Sequence, residues 1–174
     1  IKKNNPDLIV IHGDRIEPLA CAIVGCLNNI KVAHLEGGEI SGTVDEILRH
    51  SISKLAHLHF VSNKVAKNRL IQMGENKRNI FVIGSPDIDI MLSNKLPSLS
   101  VVKKRYNINF SKYSIFMFHP VTTEIDNLKE QIKHVAGKLI ESKLNYVTIL
   151  PNNDSGSKII VNEIKNLSKK RNFK

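Results

Sequence analysis

The sequence predicts an α/β protein made of two successive parallel-sheet units, and three observations predict it. Short β-branched runs of strand length alternate with longer stretches of helical periodicity. The alternation halts around residues 95–112, a basic stretch with Pro97, Ser98 and Ser100, and then restarts. Acids, histidines and glycines gather just after the strands, where open parallel sheets place their ligand loops.

Leu8-Ile9-Val10-Ile11 opens the order as a strand of the kind buried on both faces of a parallel sheet. Glu17 to Leu27 reads as a helix that is apolar almost all round and therefore well buried. Lys31 to Leu35 is a second strand. Val44, Ile47, Leu48, Ile52 and Leu55 then stripe a helix, which Thr43 and Glu46 open as a capping box. His59-Phe60-Val61 is a third strand, Lys64 to Met73 a helix, and Ile80 to Ile83 a fourth strand. After the break, Ser114 to Phe118 is a strand, and Leu128, Ile132, Val135, Leu139 and Ile140 stripe a helix. Tyr146 to Leu150 is a strand, and Ile159, Ile160, Ile164 and Leu167 mark a last helix. Two Rossmann-like domains follow: residues 1–94 as the C-terminal part of the first, 95–112 as linker and crossing segment, and 113–174 as the N-terminal part of the second. Opening at Ile1, a few residues before a strand, the chain is expected to be an incomplete piece of both domains.

The 174 residues are 41% hydrophobic and 24% charged, as in ordinary globular domains. A net charge of +10 invites nucleic acid as a partner, but the basic residues are dispersed and aromatics make up 5%, too few for base-stacking platforms. A solvated basic surface is the expectation, with no nucleic acid. No apolar run approaches the roughly 20 residues of a membrane span, and no charged-then-apolar leader is visible, so no membrane and a cytoplasmic location are expected. Cys21 and Cys26 fit no zinc spacing and read as buried, reduced thiols.

The strand ends carry the functional signal. The first strand runs into His12-Gly13-Asp14-Arg15 and the second into His34-Leu35-Glu36-Gly37-Gly38-Glu39. In the second unit the strands end in His119-Pro120-Val121-Thr122-Thr123-Glu124 and Pro151-Asn152-Asn153-Asp154-Ser155-Gly156-Ser157. Any one such acid is ordinary turn chemistry; four loops of this kind at corresponding strand ends make a cleft. No Gly-x-Gly-x-x-Gly or Walker run is present.

His12-Gly-Asp-Arg15, Glu36-Gly-Gly-Glu-Ile-Ser-Gly-Thr-Val-Asp45, Ile47-Leu-Arg-His50, Lys54-Leu-Ala-His57 and His119-Pro-Val-Thr-Thr123 together resemble the signatures of hydrolysing UDP-N-acetylglucosamine 2-epimerases of sialic-acid and legionaminic-acid pathways. Non-hydrolysing relatives usually follow the Glu with Ala-Gly-Leu-Arg. The resemblance implies a GT-B-like fold, a second domain that binds UDP, and a UDP-sugar substrate. It implies elimination of UDP across C1–C2 and hydration of the glycal with C2 inverted. No cofactor and no metal are implied. Asp14, Glu36 and Asp45 are implied as carboxylates on the sugar side, and His119 beside the nucleotide phosphates. Arg15 and Asn152 are implied as UDP contacts. Ser155 and Ser157 open a helix whose N-terminus suits anions or is simply capped by them. Arg49, four residues after Asp45, reads either as orienting that acid or as a surface ion pair. His12 and His34 are the other histidines expected nearest the cleft. Glu46 has a sufficient role in its capping box, which leaves Asp45 as the catalytic candidate. A homo-oligomer is expected, with the first domain supplying the contact; Pro18 to Leu27 is compatible with such an interface, but a core helix is the preferred reading of that segment. Two other readings stay open: a non-hydrolysing epimerase or GT-B glycosyltransferase, and a non-catalytic nucleotide-sugar or nucleic-acid binder.

Overall fold

The computed structural model describes residues 4–174; Ile1, on which the reading as an incomplete piece leans, lies outside them. It divides into two compact units, Ile1–Leu96 and Pro97–Lys174. The first unit holds β1 (Leu8–His12), α1 (Ile16–Leu27), β2 (Lys31–Leu35), α2 (Val44–Leu55), β3 (Leu58–Val61), α3 (Lys64–Gln72), β4 (Ile80–Val82) and α4 (Pro86–Met91). Its four strands are all parallel and lie in chain order, β1-β2-β3-β4. The second unit holds α5 (Leu99–Arg105), β5 (Ser114–Met117), α6 (Leu128–Glu141), β6 (Tyr146–Ile149) and α7 (Ser157–Leu167). Its two strands are parallel as well. The expected α/β class with parallel sheets is the one observed.

Side-chain alternation assigns the core. Ile11, Val32 and Ile52 bury together with Ala22 of α1, and Val61, Ala66, Leu70 and Ile80 form a second cluster under α3. In the second unit Phe116, Leu128, Ile132, Ile160, Ile164 and Leu167 close over β5 and β6. Burying such aliphatic side chains contributes about 1.5–3 kcal/mol each.

Three burial expectations are corrected. β1 is not buried on both faces: Ile11 faces the core, whereas Val10 is 61% exposed on the other side. The helices that share a core with β1 cover only the Ile9–Ile11 side. Likewise α1 buries only Ala22 and Gly25, small residues that let it lie close over Val32, while Ile16 and Leu27 are exposed. Cys21 and Cys26 sit away from that contact face and are free and exposed rather than buried.

Residues 95–112, read as a linker and crossing segment, include the helix α5. Ser98 caps α5 by accepting from the Val101 N–H. Lys103-Lys104-Arg105 fall in its last turn, where cations meet the negative end of the helix dipole. The short helix α4, opened by Pro86 at its first position, went unrecognised because a six-residue helix shows little periodicity.

Candidate active site

The Gly13–Asp14 loop leaves β1, the Glu36–Glu39 loop leaves β2, and α2 runs back beneath both. Together with Ser62 they enclose a cavity of about 200 Å³ lined by Gly13, Asp14, Glu36, Glu39 and Arg49. Two of the expected carboxylates, Asp14 and Glu36, thus share one pocket.

Arg49 organises it. One guanidinium nitrogen pairs with Asp14 Oδ2 and the other donates to the Glu39 carbonyl at 2.9 Å. This corrects the expectation for Arg49: it neither orients Asp45 nor lies on the surface, but is buried. The i,i+4 spacing was misleading because α2 turns Arg49, Ile52 and Ser53 inward together. An arginine at core-facing positions of a helical stripe was itself the missed signal, since a buried guanidinium requires a buried acceptor.

Glu36 is held at both oxygens. His12 Nε2 donates to Oε2 at 2.7 Å, and Ser85 Oγ, from the N-terminus of α4, donates to Oε1 at 2.8 Å. Burial pushes its pKa up, but the hydrogen bonds from His12 and Ser85 outweigh that and leave it below the usual carboxylate value. Its backbone is left-handed, φ +62°, which for a side-chain-bearing residue costs about 1–2 kcal/mol. The Glu36 N–H is meanwhile paired to the Phe60 carbonyl at 2.8 Å. Ser85 left no trace in the sequence pattern, 49 residues away from its partner. Glu39 lines the same cavity and accepts from Asn63 Nδ2 at 3.0 Å.

Asp45 is not among the cavity's lining residues. Half-buried in the first turn of α2, it accepts from Thr43 Oγ1 at 3.3 Å. The capping box is corrected too. Thr43 is the N-cap but its side chain caps nothing, and Glu46 reaches past it to the N–H groups of Ser41 (2.9 Å) and Gly42 (2.7 Å). Those two bonds lower the Glu46 pKa. Thr43 Oγ1 is instead engaged with Asp45 and Ser41. Arg15, exposed, is the N-cap of α1.

In the second unit His119 follows β5, and its Nδ1 accepts weakly from the Asn152 N–H at 3.4 Å, joining the two strand-end loops. Gly156 occupies the N-cap of α7; neither Ser155 nor Ser157 caps it through a side chain. Ser157 is the first helical residue, its N–H bonded to the Asp154 carbonyl at 3.0 Å. Among the described residues no cluster of His, Cys, Asp and Glu has metal-holding geometry, and no helix is long and apolar enough to cross a membrane.

This α/β architecture is the fold of a solved Methanocaldococcus jannaschii UDP-GlcNAc 2-epimerase, crystallised with UDP-GlcNAc and UDP. That structure matches 99% of this chain and 50% of its own at a TM-score of 0.77 and 22% identity. Residues 1–174 match the family model of UDP-N-acetylglucosamine 2-epimerases, and the chain belongs to that family. A UDP-N-acetylglucosamine 2-epimerase of Neisseria meningitidis is 50% identical over 91% of this chain. The hydrolysing UDP-N,N'-diacetylbacillosamine 2-epimerase of Legionella pneumophila is 41% identical over the same share. The chain spans 42% of the length of each of these two relatives.

Proposed function

We propose that the protein containing this chain is a hydrolysing 2-epimerase that converts UDP-N-acetylglucosamine, or a related UDP-acetamido sugar, and water into UDP and an N-acetylmannosamine-type sugar. The observation that carries this is the paired acids: Asp14 tied to Arg49, and Glu36 tied to His12 and Ser85, around one cavity. Elimination breaks the C1–O bond to UDP and removes the C2 proton; hydration then adds hydroxide at C1 and a proton at C2 from the opposite face. Such chemistry needs one carboxylate to accept a proton and another group to supply one. Glu36, its pKa lowered, is anionic at neutral pH and suits proton acceptance or stabilisation of positive charge at C1. Asp14 and Asp45 are the further acid–base candidates on the sugar side. His119 and Asn152 are the candidate UDP contacts of the second unit, with Ser155 and Ser157 at the start of α7, and Arg15 is a candidate UDP contact of the first.

The Glu36-Gly37-Gly38-Glu39 run and the Legionella relative's named reaction support hydrolysis. A non-hydrolysing epimerase is the second reading, favoured by the Neisseria relative, whose name carries no such qualifier. Incubating the full-length enzyme with the UDP-sugar in deuterium oxide separates them. Free UDP and a free sugar deuterated at C2 are expected. A UDP-linked epimer supports the second reading, and a product keeping its original C2 hydrogen overturns elimination altogether.

A further inference from the structure

Beneath the acid pair lies a fully buried imidazole that touches neither acid. His34 is the penultimate residue of β2, two residues before Glu36. Its Nε2 is 2.8 Å from the Gly13 carbonyl and its Nδ1 is 3.0 Å from Ser53 Oγ on α2. A carbonyl only accepts, so Nε2 must carry the proton, and Nδ1 must then accept from the Ser53 hydroxyl. Both ring nitrogens are satisfied and only one tautomer fits. Burial lowers the His34 pKa to about 4, which keeps the ring in that neutral form through the working range of ordinary enzymes.

These two bonds join the three segments that build the cavity: the loop carrying Asp14, the strand leading to Glu36, and the helix carrying Asp45 and Arg49. The neighbouring loop is cut to fit the pair. A Cβ placed on Gly37 would lie 2.8 Å from Ser53 Oγ and 2.9 Å from His34 Nδ1, so only glycine lets the Glu36 loop lie against the imidazole.

We propose that His34 is a positioning residue for the epimerase reaction, its Nε2–H setting where the Gly13–Asp14 loop presents Asp14 to the sugar. This rests on Asp14 acting at the reacting carbons, as above. An acid–base group displaced by a fraction of an ångström loses rate in the chemical step while substrate binding elsewhere is spared.

Two amide replacements divide the imidazole's functions in the full-length enzyme. His34→Gln places an N–H near the Nε2 position and keeps the bond to Gly13; kcat within about fivefold of wild type is expected. His34→Asn keeps an acceptor for Ser53 but cannot reach Gly13. Its kcat is expected to fall about 10- to 100-fold with KM changed less than about twofold. Asn and Gln variants of equal activity, or an Asn variant whose loss lies in KM, overturn the proposal. Asp14→Asn, assayed alongside, separates the two layers: if that variant is active the underlying site reading fails, whereas an inactive Asp14→Asn beside a fully active His34→Asn defeats the positioning role alone. Nitrogen-15 NMR of labelled histidine in the wild-type enzyme decides the matter even if the Asn variant does not fold. An Nε2–H tautomer for His34 is expected, and an Nδ1–H tautomer overturns the proposal.

Discussion

At the carboxyl edge of the first unit's sheet, side-chain bonds from β1, β2, α2 and the N-cap of α4 converge on a single cavity. Asp14 is paired by a buried arginine, Glu36 is held at both oxygens, and Gly13 is tethered by a buried histidine. At the corresponding edge of the second unit, the Asn152 N–H approaches His119 Nδ1 at 3.4 Å, and neither Ser155 nor Ser157 caps α7 through its side chain. In the proposed function the first arrangement fixes the acids for chemistry on the sugar. In the same proposal the loop residues His119 and Asn152 of the second receive the nucleotide.

This contrast is open to measurement. In the full-length enzyme, Asp14→Asn and Glu36→Gln are each expected to lower kcat by about 10²- to 10⁴-fold, whereas His119→Asn should act largely through KM for the UDP-sugar. Steady-state kinetics read the split, and a His119 variant that loses only kcat would break the comparison.

Acid should also strike the units unequally. The His34 pKa of about 4 lies below its unfolded value of 6.5, because burial penalises the charged ring. Above pH 6.5 both states are neutral and the full stability is present. As pH falls from 6.5 towards 4, the unfolded chain binds a proton that the folded one refuses, and stability is lost. The gap between these two values amounts to a loss of about 3 kcal/mol by pH 4. His59, whose pKa burial also lowers against an opposing pull from Glu75, adds in the same direction. His119 and His134 of the second unit are exposed. Amide exchange, corrected for intrinsic rates, should therefore lose protection across β2 and β3 before β5 and β6; equal losses would remove the distinction.

Within the first unit, Asp45→Asn is expected to lower kcat about 10²-fold. Glu46→Gln should be tolerated, because one amide oxygen can still accept from Ser41 and Gly42. The reverse ranking in kinetic assays would move the catalytic assignment to Glu46. The smallest effect sought is that of Gly37→Ala. Its methyl must displace Ser53 or His34, at a cost of about 1–3 kcal/mol, readable as a shift in denaturant midpoint. An unshifted midpoint would show that the loop has room to yield.

The legible parts of this protein were those written in local pattern. β1 to β3 and α2, α3, α6 and α7 follow from periodicities of two and 3.6, and the loops of Asp14 and Glu36, which share one cavity, stood out because parallel sheets put their ligands at strand ends. Less legible were burial and partnership. The apolar run of α1 suggested a helix covered all round, yet it packs one face of small residues and leaves Cys21 and Cys26 outside. Thr43 and Glu46 had the spacing of a capping box, yet Glu46 found better donors one turn of loop earlier.

Sequence alone determined the class of fold, the order of its elements and the edge at which its acids gather, because these depend on interactions a few residues apart. Tertiary structure alone decided that Arg49 pairs with Asp14 across 35 residues, that Ser85 reaches Glu36 across 49, and that His34 spans from Gly13 to Ser53. A hydrogen bond forms only where folding brings donor and acceptor within about 3 Å at a suitable angle. No spacing along the chain encodes that meeting, since it depends on how every intervening strand and helix is packed.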